Sequence, residues 1–249
     1  MTENCGLINN METRLIKTLD NILAWLEHKL QVRKRDYWER QLIRKLRFSL
    51  NGQYDSVIKA LGEPPRLENI PASYWESAGE AFTKNVRPIL EQIFLQQAAD
   101  MVEASTIAVD WSLVNAGAVT WAKNYSFDLV KGINETSRQR LQDIISRAFE
   151  QDLTRGELED LIREIYGPVR AEMIASTEVT RASVQGEVAI QKELADQGIE
   201  MVEVWQTNED ELVCDVCGPN DGKKQGDGWD EPPPAHPRCR CWINLEMPE

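Results

Sequence analysis

The chain has 249 residues, of which 42% are hydrophobic and 28% are charged, a composition typical of a globular protein with a proper core. Its formal net charge of -13 argues against a surface that wraps nucleic acid, because phosphate binding depends on Lys and Arg. No stretch approaches the roughly 20 apolar residues that cross a bilayer, so we expect no membrane segment. Residues 1–10 contain neither a basic start nor an apolar run, and we expect no signal peptide.

A long helix is predicted near the N-terminus. Apolar residues recur at steps of three and four from Leu15 to Leu46, with a possible break near Val32, and the turn dipeptide Asn51-Gly52 is expected to end the helix. A basic cluster lies within this helix. Its candidate contacts with DNA or with an acidic partner are Arg33, Lys34, Arg35, Arg44 and Lys45. The alternative is a solvated helix face that offsets acidic residues elsewhere in the fold.

The middle of the chain is also predicted to be helical. A short helix over 54–61 is followed by Glu63-Pro64-Pro65, a stiff extended linker that is the best candidate boundary in the front half. A helix is expected over 77–105, with Pro88 either kinking it or lying in its first turn. Two more helices are expected over 107–132. The predicted domains are an N-terminal helical region with the basic cluster (1–62), a helical middle region (66–132) and a C-terminal domain (133–249).

Two capping boxes are predicted, Thr136-Ser-Arg-Gln139 and Thr154-Arg-Gly-Glu157. In this motif the Thr oxygen accepts a backbone N–H and the side chain three residues later reaches back to the cap. Each box therefore predicts the start of a helix, and the second of these helices is expected to stop at Gly167-Pro168. A last helix is predicted over 169–195, with Gly198 as its cap. Alternating side chains over 201–206 and 241–245 then predict two strands that pair with each other.

Cysteines and histidine are crowded into the C-terminal part of the chain, and they predict a metal centre. A tight turn in a Cys-x2-Cys pair brings both sulfurs to one side, and a second pair from a distant segment completes a tetrahedron around Zn²⁺. The loop between the pairs is rich in Gly and Pro, so a metal would supply folding energy that packing lacks. A disulfide pair and unpaired thiols are the alternatives. The candidate ligands are Cys214, Cys217, His236, Cys239 and Cys241.

Five candidates compete for the four positions around one zinc ion. Our choice is Cys214, Cys217, His236 and Cys239, and Cys241 is the substitute because alternate residues of an extended segment point the same way. A catalytic zinc keeps one position for water, whereas the surplus of thiolates here favours a closed, structural site. The predicted strand pairing would place the two half-sites at the ends of neighbouring strands.

Two stretches of the sequence resemble the phage Mu F-like minor head protein family, the head morphogenesis proteins of tailed bacteriophages. One is the segment 170–182, and the other is the C-terminal series Trp205-Gln-Thr-Asn-Glu-Asp210, Cys214-x2-Cys217, Asp221-Gly222-Lys223 and Pro233-Pro234-x-His236-Pro237-x-Cys239-Arg240-Cys241. The resemblance implies a minor capsid protein that associates with the portal vertex inside the head and aids head assembly or DNA packaging and ejection. Its implied partners are the portal protein and other head proteins, in the host cytoplasm during assembly and later in the virion.

The expected fold is mainly α, with a helical N-terminal region and a small α+β C-terminal domain that holds a short β-hairpin or small sheet and a zinc-stapled loop. We expect a structural protein and not an enzyme. Alternatives are a nuclease, an ADP-ribosyltransferase-like activity through Thr177, Glu178 and Arg181, and a zinc-dependent nucleic-acid-binding module. A nuclease commonly needs a free histidine base, and the acidic residues of the predicted metal loop would repel phosphate.

Overall fold

The computed structural model describes residues 3–105, 108–208 and 213–248, and it describes the side chains of 30, 32–103, 108–208 and 213–248. The N-terminal apolar stripe up to Leu26, together with Cys5 and His28, lies outside the described side chains. Among the described helices, none is long and apolar enough to cross a membrane. The chain divides into two compact units, 1–38 and 39–249.

Five α-helices and one small sheet make up most of the described fold. The helices are α1 (Glu3–Leu61), α2 (Ala72–Ser105), α3 (Trp111–Glu150), α4 (Arg155–Ile165) and α5 (Pro168–Asp196), and the strands are β1 (Val202–Gln206) and β2 (Trp242–Glu246). This arrangement confirms the expected fold class, a mainly helical chain with a small sheet near its C-terminus.

The predicted end of the first helix at Asn51-Gly52 is wrong, since α1 continues to Leu61. Leu50, Gln53 and Val57 on either side of this dipeptide are buried in the core of the second unit. Burial of a helical stripe stabilises α1 by more than the roughly 1 kcal/mol that a helical glycine costs. The possible break near Val32 is also absent, because α1 is continuous there.

Helix α3 replaces the two helices that were predicted over 107–132 and the separate helix that was expected to begin at Thr136. Its start is capped by Asp110, whose side chain accepts the N–H of Ser112 at 2.9 Å. The Thr136 capping box is wrong, because the Thr136 hydroxyl donates to the carbonyl of Gly132 one turn earlier, at 2.9 Å. An uninterrupted helix leaves no free N–H at that point for a capping side chain to satisfy.

The separate helix over 54–61 is instead the end of α1, and Glu63-Pro64-Pro65 lies in a turn closed by the Arg66 N–H on the Leu61 carbonyl, not in an extended linker. Several other local predictions are confirmed. Thr154 and Glu157 form the capping box of α4, and Pro168 opens α5. Helix α2 contains Pro88 in its interior, which excludes the first-turn alternative. Gly198 has a φ of +79°, a left-handed conformation that suits glycine at the end of a helix.

The core of the second unit lies where α2 packs against both α3 and α5. Phe94 and Ala98 of α2 meet Val114 and Ala118 of α3, with Ile190 on the α5 side. Helix α5 also contacts β2, so one helix links the helical core to the sheet. The two strands pair with each other, as the sequence predicted; they are antiparallel, with Trp205 opposite Ile243.

Candidate metal centre

The first half of the centre follows strand β1. Cys214 and Cys217 lie in one tight turn, in which the Cys214 carbonyl accepts the N–H of Cys217 at 3.1 Å and that of Gly218 at 2.9 Å. A 3-10 turn over Gly218–Asn220 continues this bend. The turn brings both sulfurs to the same side of the chain, as expected for a Cys-x2-Cys pair.

The second half of the centre precedes strand β2. His236, Cys239 and Cys241 come from the proline-rich segment that leads into this strand, and the Cys239 N–H donates to the His236 carbonyl at 3.1 Å. Because β1 and β2 are paired, the end of one strand and the start of the other lie together. The sheet therefore brings the two half-sites into contact, as the sequence predicted.

Distances between the ligand atoms are close to those around a small tetrahedral ion: the sulfur–sulfur distance matches, and the sulfur–nitrogen distances are slightly shorter. The His236 Nε2 atom lies 3.1 Å from Cys214 Sγ and 3.2 Å from Cys217 Sγ. The sulfurs of Cys217 and Cys239 are 3.8 Å apart. Zinc–sulfur and zinc–nitrogen bond lengths imply tetrahedral edges of about 3.8 Å between two sulfurs and about 3.5 Å between sulfur and nitrogen.

All five predicted ligands take part in two groups of mutually close ligand atoms. One group contains Cys214, Cys217 and His236, and the other contains Cys217, Cys239 and Cys241; within each group the ligand atoms lie within 4.8 Å of one another. Cys217 is common to both groups. Its sulfur therefore occupies the central place in the cluster.

The histidine is oriented as a metal ligand. Its Nδ1 atom lies 2.8 Å from the carbonyl oxygen of Pro237. A carbonyl can only accept, so this contact places a proton on Nδ1 and leaves the Nε2 lone pair directed at the sulfurs. The hydrogen bond to this carbonyl is the main cause that raises the pKa of His236; burial acts in the opposite direction, and the charges of Cys239 and Cys214 raise the pKa further.

Because the thiols lie close together, their pKa values move in opposite directions. Hydrogen bonding from the Cys241 thiol lowers the pKa of Cys239 to about 5. Burial, with the neighbouring Cys239 charge, raises the pKa of Cys217 to about 12, and the Cys239 thiolate raises that of Cys241 still further. Several adjacent thiols cannot all ionise without a compensating positive charge. A cation bound among them would supply that charge. It would also cross-link the two half-sites.

The loop between the half-sites packs better than its composition predicted. Its backbone pairs with the free edge of β1: the N–H of Trp205 donates to the Lys223 carbonyl at 3.0 Å, and the N–H of Gly222 donates to the Trp205 carbonyl at 2.9 Å. Trp229 stacks edge-on against Trp205 with ring centroids 5.4 Å apart. Packing and a metal would therefore both hold this loop.

A cleft of about 500 Å³ lies beside the cysteine cluster. Its opposite wall is formed by side chains of α1 and α5, including Glu39 and Glu172. The guanidinium of Arg240, between two of the candidate ligands, pairs with Glu39 at 3.2 Å. The cysteine-bearing segment is thus connected by this ion pair to the part of α1 that lies in the second unit.

The basic cluster is divided between the two units of the chain. Arg33, Lys34 and Arg35 belong to the first unit, whereas Arg44 and Lys45 belong to the second. Arg33, Arg44 and Lys45 are exposed, and Lys34 and Arg35 are half-buried. Their contact with DNA or with an acidic partner stays a prediction.

Glu178 and Arg181 form the expected ion pair on α5, with 3.7 Å between the charged atoms. Glu178 is buried, and its carboxylate accepts a 2.6 Å hydrogen bond from the Tyr125 hydroxyl of α3. Burial raises the pKa of Glu178, while Tyr125 and then Arg181 act in the opposite direction. No sequence pattern identified Tyr125 as the partner, because 53 residues separate it from Glu178.

The fold and the site together define the class of protein: a mainly helical protein whose small C-terminal sheet carries a candidate metal centre of Cys and His ligands. Residues 139–244 match the family described as Phage Mu protein F like protein. This match confirms the resemblance seen in the sequence: residues 139–244, less than half of the chain, are similar to phage Mu F-like proteins. Comparisons with curated proteins and with solved structures gave no match.

Proposed function

We propose that this protein is a minor head protein of a tailed bacteriophage and that a structural Zn²⁺ ion closes its C-terminal region. The observation that carries the proposal is the convergence of five candidate ligands, all of them inside the stretch that matches the family: Cys214, Cys217 and His236 form one group, and Cys217, Cys239 and Cys241 form the other. The metal cross-links two segments that lie next to the paired strands, one after β1 and the other before β2. The centre is therefore a means of holding a surface of the protein in shape during assembly.

Zinc is the proposed ion because the donor set consists of thiols and one imidazole. Soft sulfur ligands with imidazole select zinc over the harder cations that prefer oxygen. Five protein ligands for four positions leave no place for the water that a catalytic zinc retains. Cys214, Cys217, His236 and Cys239 hold the ion in this proposal, and Cys241 is the substitute ligand.

The proposed place of action is the portal vertex inside the head. The family match supports contact with other head proteins and a location in the virion. Association with the portal protein is the finer proposal, and it comes from the resemblance of the C-terminal series to the minor head proteins. Exposed Arg33, Arg44 and Lys45 on α1 support a second part of the role, contact with genomic DNA during packaging or ejection.

The proposed role is structural and not enzymatic. Glu178, the carboxylate considered for a transferase-like activity, is only 5% exposed and is engaged by Tyr125 and Arg181. Such surroundings suit a polar contact that joins α3 to α5. This burial supports the assembly role over the transferase alternative.

The test is incorporation into heads. A phage carrying Cys217→Ser is compared with one carrying Cys5→Ser, which removes a cysteine that is not a candidate ligand. Copies of the protein in purified heads are counted by quantitative mass spectrometry, and its neighbours are identified by cross-linking. We expect the Cys217 variant to be depleted, and we expect unmodified protein to cross-link to the portal protein. Normal incorporation of the Cys217 variant would remove the structural metal role, and cross-links that never include the portal would remove the portal assignment.

A further inference from the structure

Helix α5 runs beside the second half of the candidate metal centre and presents two threonines to it. The hydroxyl oxygen of Thr177 accepts the backbone N–H of Arg238 at 2.9 Å. The hydroxyl of Thr180 donates to the backbone carbonyl of Cys239 at 2.7 Å. Residues three apart lie on one face of a helix, so the two hydroxyls form a single contact surface. They bind both sides of the short segment that carries the Cys239 ligand.

The direction of each hydrogen bond is fixed by its surroundings. Thr177 uses its own proton to donate to the Met173 carbonyl at 2.8 Å, which leaves an oxygen lone pair for the N–H of Arg238. Thr180 is only 2% exposed, and Cys239 is 1% exposed. A buried carbonyl without a donor is costly, and here the Thr180 hydroxyl supplies that donor. The Thr180 contact is therefore buried, whereas the Thr177 contact lies at the surface.

The segment that the threonines hold is conformationally demanding. Arg238 has a φ of +66°, in the left-handed region that is unfavourable for a residue with a side chain. The Cys239 N–H is already bound to the His236 carbonyl, so the turn from His236 to Cys239 is closed on itself. The two threonines fix this turn to α5. Its orientation places the Cys239 sulfur 3.8 Å from the sulfur of Cys217.

We propose that Thr177 and Thr180 are positioning residues of the metal centre, which hold the backbone of Arg238 and Cys239 so that the second half-site faces the first. This inference rests on the proposed metal centre and goes beyond it, because it makes metal affinity depend on helix α5. A site whose ligands are already oriented loses less conformational freedom on binding. Partners that orient metal ligands typically change affinity by about 10- to 100-fold when they are removed.

The experiment measures metal affinity in the full-length reduced protein. Co²⁺ is titrated in the presence of a competing chelator, because bound Co²⁺ can be followed by its absorption spectrum, and the Co²⁺ is then displaced by Zn²⁺. Thr180→Val keeps the shape of the side chain and removes its hydroxyl, so we expect affinity to fall by about 10- to 100-fold. Thr180→Ser restores the hydroxyl and is expected to restore affinity. Thr177→Val tests the other contact independently.

A matched control is Thr136→Val. Thr136 also lies in a helix and its hydroxyl also donates to a carbonyl one turn earlier, but it is on the exposed side of α3. We expect no change in metal affinity there. A purely structural role for the α5 threonines would lower the melting temperature of the metal-free protein and leave affinity unchanged, which would overturn the proposal.

The outcomes also separate this inference from the proposed function. Failure of the unmodified protein to bind Co²⁺ or Zn²⁺ would overturn the metal centre itself, and the inference with it. Metal binding by the unmodified protein, with equal affinity in both valine variants, would overturn only the role of the threonines. If Thr180→Val does not fold, Thr177→Val decides, since Thr177 is less buried and its loss leaves the Cys239 carbonyl bound.

Discussion

Gly186 of α5 lies directly against the carbonyl oxygen of Phe94 in α2, so closely that a Cβ atom at position 186 would overlap it. The same Cβ would approach the backbone nitrogen of Ala98 to 3.2 Å. Backbone atoms cannot swing aside as the end of a side chain can, so α2 and α5 would have to separate. Gly186→Ala is therefore expected to lower the free energy of unfolding by about 1–3 kcal/mol, the usual cost of overpacking, as measured by urea denaturation.

Gly132→Ala in α3 is the control for that experiment. A Cβ at 132 would meet nothing within 4 Å, and the residue is exposed in the interior of a helix. Removing a helical glycine there should stabilise the protein by about 0.5–1 kcal/mol. Opposite signs for the two substitutions identify close helix packing as the cause. A stabilising effect at position 186 would contradict the observed crossing of α2 and α5.

Because Cys217 belongs to both groups of ligand atoms, its substitution is expected to remove more metal than substitution of Cys241. Protein purified under reducing conditions without chelators should contain about one zinc ion per chain. Cys217→Ser is expected to remove that zinc, whereas Cys241→Ser should retain most of it because four other ligands remain. Elemental analysis measures both. Absence of metal from the unmodified protein would eliminate the structural zinc.

The parts of this fold that the sequence predicts are those with a local cause. The capping box at Thr154 requires only two side chains three residues apart, and the structure contains it. The paired strands were likewise predicted from alternation over 201–206 and 241–245. The clustering of the metal ligands followed from that pairing, since residues at the ends of adjacent strands are close in space.

Features that depend on tertiary packing were missed. The local sequence near Asn51-Gly52 does not show that Leu50 and Val57 will be buried. Their burial stabilises the helix through this turn dipeptide. Thr136 fits a capping pattern equally well in the middle of a helix, where it donates to a carbonyl instead. The contact of Thr180 with Cys239 spans 59 residues and leaves no trace in local spacing. Long-range backbone contacts of this kind decide the orientation of the site.

A buried carboxylate makes stability depend on pH. Glu187 of α5 is 1% exposed, accepts hydrogen bonds from Gln97 and from the N–H of Ile243, and lies near the carboxylate of Glu203. Burial is the main cause that raises its pKa well above the ordinary 4.5, and the Glu203 charge adds to this effect. Folding therefore favours the protonated acid. The stabilisation is complete below the ordinary pKa and is lost as pH rises through the raised pKa.

Glu187→Gln should remove this dependence, because a neutral amide has the same shape and carries no charge to bury. The variant is expected to be more stable than the unmodified protein at pH 8 and to show a smaller change in the free energy of unfolding between pH 5 and pH 8. Urea denaturation at several pH values measures this slope. Glu164→Gln, at an exposed position of α4, is the control and should leave the slope unchanged. An unaltered slope in the Glu187 variant would refute the assignment.

The contact of Tyr125 with Glu178 predicts unequal effects for two conservative substitutions. Glu178→Gln keeps an oxygen that accepts from the tyrosine and leaves a half-exposed Arg181, whereas Tyr125→Phe leaves a buried carboxylate without its donor. We expect the phenylalanine variant to lose about 1–3 kcal/mol of unfolding free energy and the glutamine variant to lose less. Chemical denaturation tests the order. Normal heads that are non-infectious with Glu178→Gln would instead favour a catalytic carboxylate.

The basic cluster on α1 predicts DNA binding that weakens with salt. Neutralising phosphates releases counterions, so affinity for a duplex should fall steeply as the salt concentration rises. Arg44 and Lys45 are both exposed, and the double substitution Arg44→Glu and Lys45→Glu should reduce both the affinity and the slope of its logarithm against the logarithm of salt concentration. Fluorescence anisotropy with a labelled duplex measures both quantities.

The control carries Lys131→Glu and Arg138→Glu, two exposed positions on α3 with the same change in charge. Because the chain already carries a net charge of -13, a general increase in repulsion would weaken binding equally in both double variants. A loss of DNA affinity in the α1 variant alone would therefore assign DNA contact to the basic cluster. An equal loss of affinity in both variants would show that these side chains form only a solvated helix face.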